Sequence, residues 1–153
     1  ITKPFTYDAL AERVQRLIEG IGSAPCVLLV EDEALVRMVA ATTLEELGCR
    51  VEEAGSATEA VTKLRLPGRR IDVAIVDIGL PDRKGDVLAA ELRAIRADLP
   101  IIIASGYGED VLQGRFAHDP LVRFLPKPYN MRQLEEALRA VGVSAGSATR
   151  EQG

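Results

Sequence analysis

Short apolar runs alternate with longer segments whose apolar residues fall three and four positions apart, and this alternation begins at Val27. "VLLV" (Val27 to Val30) has strand length and stops at the acidic pair Glu31-Asp32. "EALVRMVAATTLEELG" then carries Leu35, Val36, Val39, Ala40, Thr43, Leu44 and Leu47 at helical spacing, with Gly48 as its stop. "RVEEA" reads as a short second strand, and Ser56 with Glu59 forms a capping box that opens a second helix ending at Pro67-Gly68. "IDVAIV" is the third strand and "DVLAAELRAI" the third helix. "PIIIAS" and "LVRFL" are the fourth and fifth strands, and Asn130 caps a last helix through "MRQLEEALRAV". Between those two strands, "GEDVLQGRFAHDP" holds Gly108, Gly114 and few core positions, so a fourth helix there is expected to be short or mobile.

Strand and helix in repeated alternation call for an α/β fold, a parallel sheet with helices on both faces. The runs "VLLV", "VAIV" and "IIIA" are continuously apolar, as a sheet covered on both sides requires. The single globular domain is expected over 24–143, with a small, polar and disordered tail over 144–153. Residues 1–23 stand apart as a helical extension. Lys3 to Glu19 can be laid over Lys127 to Val143 at a constant offset, matching Lys-Pro-aromatic, then Leu10, Glu12 and Val14 with Leu134, Glu136 and Leu138. An internal repeat holding only a last element is read as the tail of an upstream copy of the same domain.

Composition narrows the function classes. With 19 basic and 23 acidic residues the net charge is −4, which gives no electrostatic case for direct nucleic-acid binding. No apolar run approaches membrane-spanning length, so a cytoplasmic chain without membrane contact is expected. Cys26 and Cys49 are too few for a disulfide framework or a metal site and are expected to be reduced and semi-buried.

The stretch "IDVAIVDIGLPDRKG" sets the chemical question, because Asp77 follows four apolar residues directly. An unpaired carboxylate there is costly to bury. In a doubly wound parallel sheet the carboxyl ends of the strands meet at one rim. Reading off those ends gives Glu31 and Asp32, Asp77, Ser105, and Lys127 in "LPKPY". Crowded carboxylates repel unless a cation sits among them, and hard oxygen ligands suit Mg²⁺, with Mn²⁺ as an alternative. A carboxylate nucleophile can take a phosphoryl group, with Lys127 offsetting its charge and Ser105 donating a hydrogen bond. Taken singly, each residue also fits a turn, a helix start or a solvated surface.

As a set, "VLLVEDE", "VDIGLPDRKG", "IIIASGYG" and "FLPKPY" resemble the signatures of the receiver domain of two-component response regulators, and the resemblance spans about Cys26 to Val143. It implies a flavodoxin-like five-stranded sheet in the order 2-1-3-4-5 and a cis bond before Pro128. It also implies Asp77 as phospho-acceptor and metal ligand, Asp32 and the Gly79 main-chain carbonyl as further metal ligands, and Glu31 as an outer ligand through water. Ser105 and Lys127 become phosphoryl contacts, and Phe124 and Tyr107 accompany Ser105 as switch residues. The implied donor is a histidine kinase or histidine phosphotransfer protein. The face of the fourth helix, fifth strand and fifth helix would then bind a partner, with homodimerisation open. The parent protein is expected to be a hybrid sensor kinase or a tandem-receiver regulator.

Three positions depart from the family pattern: Glu31 where Asp is commoner, Lys84 before Gly85, and Tyr107 beside a glycine-bearing fourth helix. His118 reads as a surface histidine rather than a phosphoryl donor. Apart from self-directed phosphorylation and dephosphorylation, the chain is not expected to be an enzyme. Two other classes compete. A receiver-like scaffold without phosphorylation would typically lack the acceptor or the lysine, and both are present. An aspartyl-phosphate hydrolase would usually carry a second Asp two residues after the nucleophile, where this chain has Gly79.

Overall fold

A computed structural model describes residues 24–68, 70–106 and 118–143. Five parallel strands form one sheet in the order β2-β1-β3-β4-β5. The strands are β1 (Cys26–Val30), β2 (Arg50–Ala54), β3 (Val73–Asp77), β4 (Ile101–Ser105) and β5 (Val122–Pro126). The described helices are α1 (Ala34–Glu46), α2 (Ala57–Arg65), α3 (Gly85–Ile95) and α4 (Met131–Ala140). The expected fourth helix, Tyr107, the N-terminal extension and the C-terminal tail lie outside the described residues.

Period-two alternation divides the core into two layers. Leu28, Val30, Ala74, Val76, Ile101 and Ile103 face α2 and α3, where Ala57, Ala60, Leu88 and Leu92 close over them. Val27, Leu29, Val73, Ile75 and Ile102 face the other way, against Ala40, Ala41 and Leu44 of α1 and Leu134 and Leu138 of α4. A sheet so covered has no solvated face, which is why its central strands read as unbroken apolar runs.

Local signals act much as their chemistry dictates. Asn130 and Gln133 make a complete reciprocal capping box at α4. At α2 the box is only half made. Ser56 accepts from the Glu59 N–H, but the Glu59 carboxylate takes the Gly55 N–H at 2.8 Å rather than that of Ser56. Gly48 and Gly68 both sit at positive φ where α1 and α2 have ended, a region that glycine enters without a steric penalty.

The apolar stripe of α1 is buried only over its second half. Leu35, Val36 and Val39 are exposed, at 72, 36 and 64%, whereas Ala40 and Leu44 of the same stripe are buried, together with Ala41 and with Leu47 just past the helix end. Helical spacing identifies an amphipathic stripe but not what covers it, and the first turns of α1 border an open groove with Pro128 and Tyr129. Both cysteines are buried rather than semi-buried, and burial pushes the Cys49 thiol up to about 11.

Candidate phosphoryl-acceptor site

β1 and β3 are adjacent and parallel, with Val30 opposite Val76, so their carboxyl ends deliver Glu31 and Asp77 to the same rim. Oxygens of Glu31, Asp32 and Asp77 lie within 4.8 Å of one another. Glu31 and Asp77 are only 5 and 7% exposed, whereas Asp32 is open to solvent. Burial pushes the Glu31 carboxyl above the usual range and neighbouring Asp77 adds to this, against the Glu33 N–H and Lys127, which pull it down.

Lys127 arrives from the end of β5 and carries the countercharge. Its Nζ is 3.1 Å from Asp77 Oδ1 and 3.2 Å from Glu31 Oε1. Burial alone would lower this ammonium, but the bonds and charges of Asp77 and Glu31 outweigh it and hold it above its ordinary value. The Lys127 N–H donates to the Ser105 carbonyl at 2.8 Å, which ties the lysine to the end of β4. Ser105 follows Ala104, the residue opposite Asp77 in the sheet, so all five expected polar residues reach one rim. The Lys127-Pro128 peptide is cis, as expected.

The loop after Asp77 is clamped at both ends. Gly79 lies in its turn, where an added β carbon would stand 4.0 Å from Asp77 Oδ2. Gly85 closes the loop by donating its N–H to the Ile78 carbonyl at 2.9 Å. Between them Asp82 accepts from the N–H groups of Ala57 and Thr58, each at 3.0 Å, so it caps α2 from another segment of the chain. Those bonds hold the Asp82 carboxyl down at about 2. Arg83 adds bonds to both Glu91 oxygens and to the Thr58 hydroxyl. Sequence reasoning missed this latch and also missed Arg37, whose Nη1 donates to the Glu31 carbonyl at 2.7 Å. A lone basic residue in the apolar opening of α1 was the available signal.

Phe124 is partly buried and packs on the core layer that holds Val76 and Ile103. His118 is exposed, in agreement with a surface histidine. The sequence profile of the response regulator receiver domain matches residues 27–139. The chain belongs to that family.

This receiver domain is 36% identical over 131 residues to the sensor kinase CckA of Brucella abortus, covering 86% of this chain and 14% of that protein. It is also 36% identical over 117 residues to the two-component response regulator PhoP of Pseudomonas aeruginosa, covering 75% of this chain and 50% of PhoP. The chain thus spans half or less of these relatives' lengths. Among solved structures, a response regulator receiver protein from Pseudomonas putida superposes with a TM-score of 0.69 at 31% identity, covering 78% of this chain and 98% of that one. Receiver domains are signalling domains of two-component systems and bind Mg²⁺ at an acidic pocket. The donor set here fits that ion: hard carboxylate oxygens, two of them from buried residues whose mutual repulsion a divalent charge would relieve. No described helix is long and apolar enough to cross a membrane.

Proposed function

We propose that this receiver domain accepts a phosphoryl group on Asp77 from a phosphohistidine donor, a histidine kinase or histidine phosphotransfer protein. The observation that carries the reading is the meeting of three carboxylates with a single ammonium, Lys127, which touches both buried ones. In the transfer the donor's N–P bond breaks as an O–P bond forms on Asp77, and the released imidazole nitrogen takes up a proton. A bound Mg²⁺ (or Mn²⁺) supplies positive charge that draws the phosphoryl oxygens to the acids and offsets charge developing during transfer. Asp32, Asp77 and the Gly79 carbonyl would hold that ion directly, and Glu31 would act through water. Lys127 moves its bonding from the free carboxylate towards the phosphoryl group, and the Ser105 hydroxyl donates to that group. Phe124 turns with Ser105, altering the face around β5 and α4 where a partner binds.

A groove of about 480 Å³ supports a protein donor. It is lined by Leu35, Val36 and Val39 of α1 and by Pro128 and Tyr129, and it shares Lys127 with the acid cluster. An apolar helix face seated there would stand directly beside Asp77.

Intact mass after incubation with Mg²⁺ and a small phosphodonor tests the reading. One labile phosphoryl group is expected, absent from Asp77→Asn and from a magnesium-free control. No adduct, together with failure to bind beryllofluoride, would overturn it.

A further inference from the structure

Between Glu31 and Asp32 the chain has to stop being a strand. Neighbouring residues of an extended strand point to opposite faces. Oxygens of these two neighbours nevertheless come within 4.8 Å of each other and of Asp77. The Glu31 N–H still follows the sheet, donating to the Ala54 carbonyl at 3.0 Å. Its carbonyl turns to α1 and accepts from Arg37 Nη1 at 2.7 Å. The peptide unit joining the two acids is therefore held at its oxygen by a charged donor, which makes a stronger bond than a neutral one.

Arg37 is itself seated in a frame. Its side chain is 23% exposed, and its Nε bonds Glu53 Oε1 at 3.1 Å at the end of β2. Its Nη1 lies 3.3 Å from where a β carbon at Gly55 would stand, so the chain passes close beneath the guanidinium. The Gly55 N–H is fixed by Glu59, and Lys63 bonds the Glu53 carbonyl while pairing with Glu59. A fork with two occupied prongs on a packed stem has little freedom to let the Glu31 carbonyl swing.

We propose that Arg37 is a positioning residue for the divalent cation. By fixing the Glu31–Asp32 peptide it sets the approach of the two carboxylates, and without it the acids would separate under their own repulsion. The inference rests on the metal-assisted phosphoryl reading above. Its sign separates positioning from charge. Removing a positive group near carboxylates would, through Coulomb attraction alone, tighten cation binding. Loss of positioning weakens it.

The test is Mg²⁺ titration of the unphosphorylated domain by calorimetry, for wild type, Arg37→Met, Arg37→Lys and Glu53→Gln. Arg37→Met is expected to raise the Mg²⁺ dissociation constant about tenfold, the lower range for loss of a group that orients metal ligands. Arg37→Lys, which keeps the charge and one donor, falls between it and wild type. Glu53→Gln has a smaller effect because the bond to the Glu31 carbonyl survives. The Mg²⁺ concentration for half-maximal phosphorylation should move in parallel, with the rate at saturating Mg²⁺ nearly unchanged. Unchanged or tighter Mg²⁺ binding in a folded Arg37→Met domain would overturn the role of Arg37 alone. If that variant does not fold, wild-type affinity in both Arg37→Lys and Glu53→Gln overturns it equally. Absence of Mg²⁺ binding by the wild type would overturn this inference together with the reading beneath it.

Discussion

Gly85 lies so close to Asp77 that a β carbon on it would stand 2.7 Å from the Asp77 carbonyl oxygen and 2.6 Å from the neighbouring Ile78 Cα. Both obstacles are backbone, so neither can swing aside. The start of α3 therefore has to be a glycine if the acceptor loop is to close over its own strand. Gly85→Ala is expected to cost about 1–3 kcal/mol of stability through overpacking. Urea unfolding measures it, and phosphoryl acceptance should fall as the loop shifts.

Lys127 balances two buried acids. Lys127→Met leaves Glu31 and Asp77 without their ammonium, and in chelator the domain should lose about 1–3 kcal/mol, the scale for stranding buried polar partners. Saturating Mg²⁺ should restore most of that loss by supplying the missing charge. Unfolding curves in chelator and in Mg²⁺ would show a larger metal-dependent gap for the variant than for wild type.

Asp82 caps α2 from the acceptor loop, and its carboxyl is held from an ordinary value of 3.8 down to about 2. A carboxylate with a depressed folded value adds stability above its unfolded value and loses it as pH falls through the folded one. The latch contribution should thus be nearly complete above about pH 4, fall as pH drops towards about 2, and vanish below that. Asp82→Ala should remove about 1 kcal/mol at neutral pH, the scale of a lost helix cap. Wild-type and variant melting temperatures should converge in acid.

The exposed face of α1 offers a cleaner separation of binding from folding. Leu35→Asp or Val39→Asp should change stability by no more than about 0.5 kcal/mol, as surface substitutions do. Transfer from a phosphohistidine protein should slow markedly, while labelling by a small phosphodonor should not. Equal slowing of both reactions would place the fault in the acid cluster and not in docking.

Much of this was legible before any coordinates. "VLLV", "VAIV" and "IIIA" are β1, β3 and β4 with boundaries shifted by a residue or so, because a sheet covered on both faces leaves no polar position inside its central strands. The capping sequence at Asn130 acted as written because both halves of the box are local. The half-made box at Ser56 shows where locality fails: Asp82, 24 residues beyond Thr58, accepts from the Thr58 N–H and hydroxyl, while Glu59 turns back to Gly55. Nothing within the helix's own segment announces that partner. How far the apolar stripe of α1 is buried was not legible for a related reason. Apolar spacing is a property of one helix, and burial is a property of its neighbours.

The sequence by itself determined the alternation of strand and helix, the acids and lysine that end the strands, and a family signature specific enough to place the chain among receiver domains. Those follow from short-range rules: period, caps, and the cost of a charged group beside an apolar run. Only the tertiary structure decided that Lys127 bonds Asp77 and Glu31 together, that Gly85 has no room for a side chain, and that Arg37 holds the carbonyl between two acids. These relationships join segments brought together by sheet order and helix packing, and their energies depend on distances of a few ångströms that no linear pattern encodes.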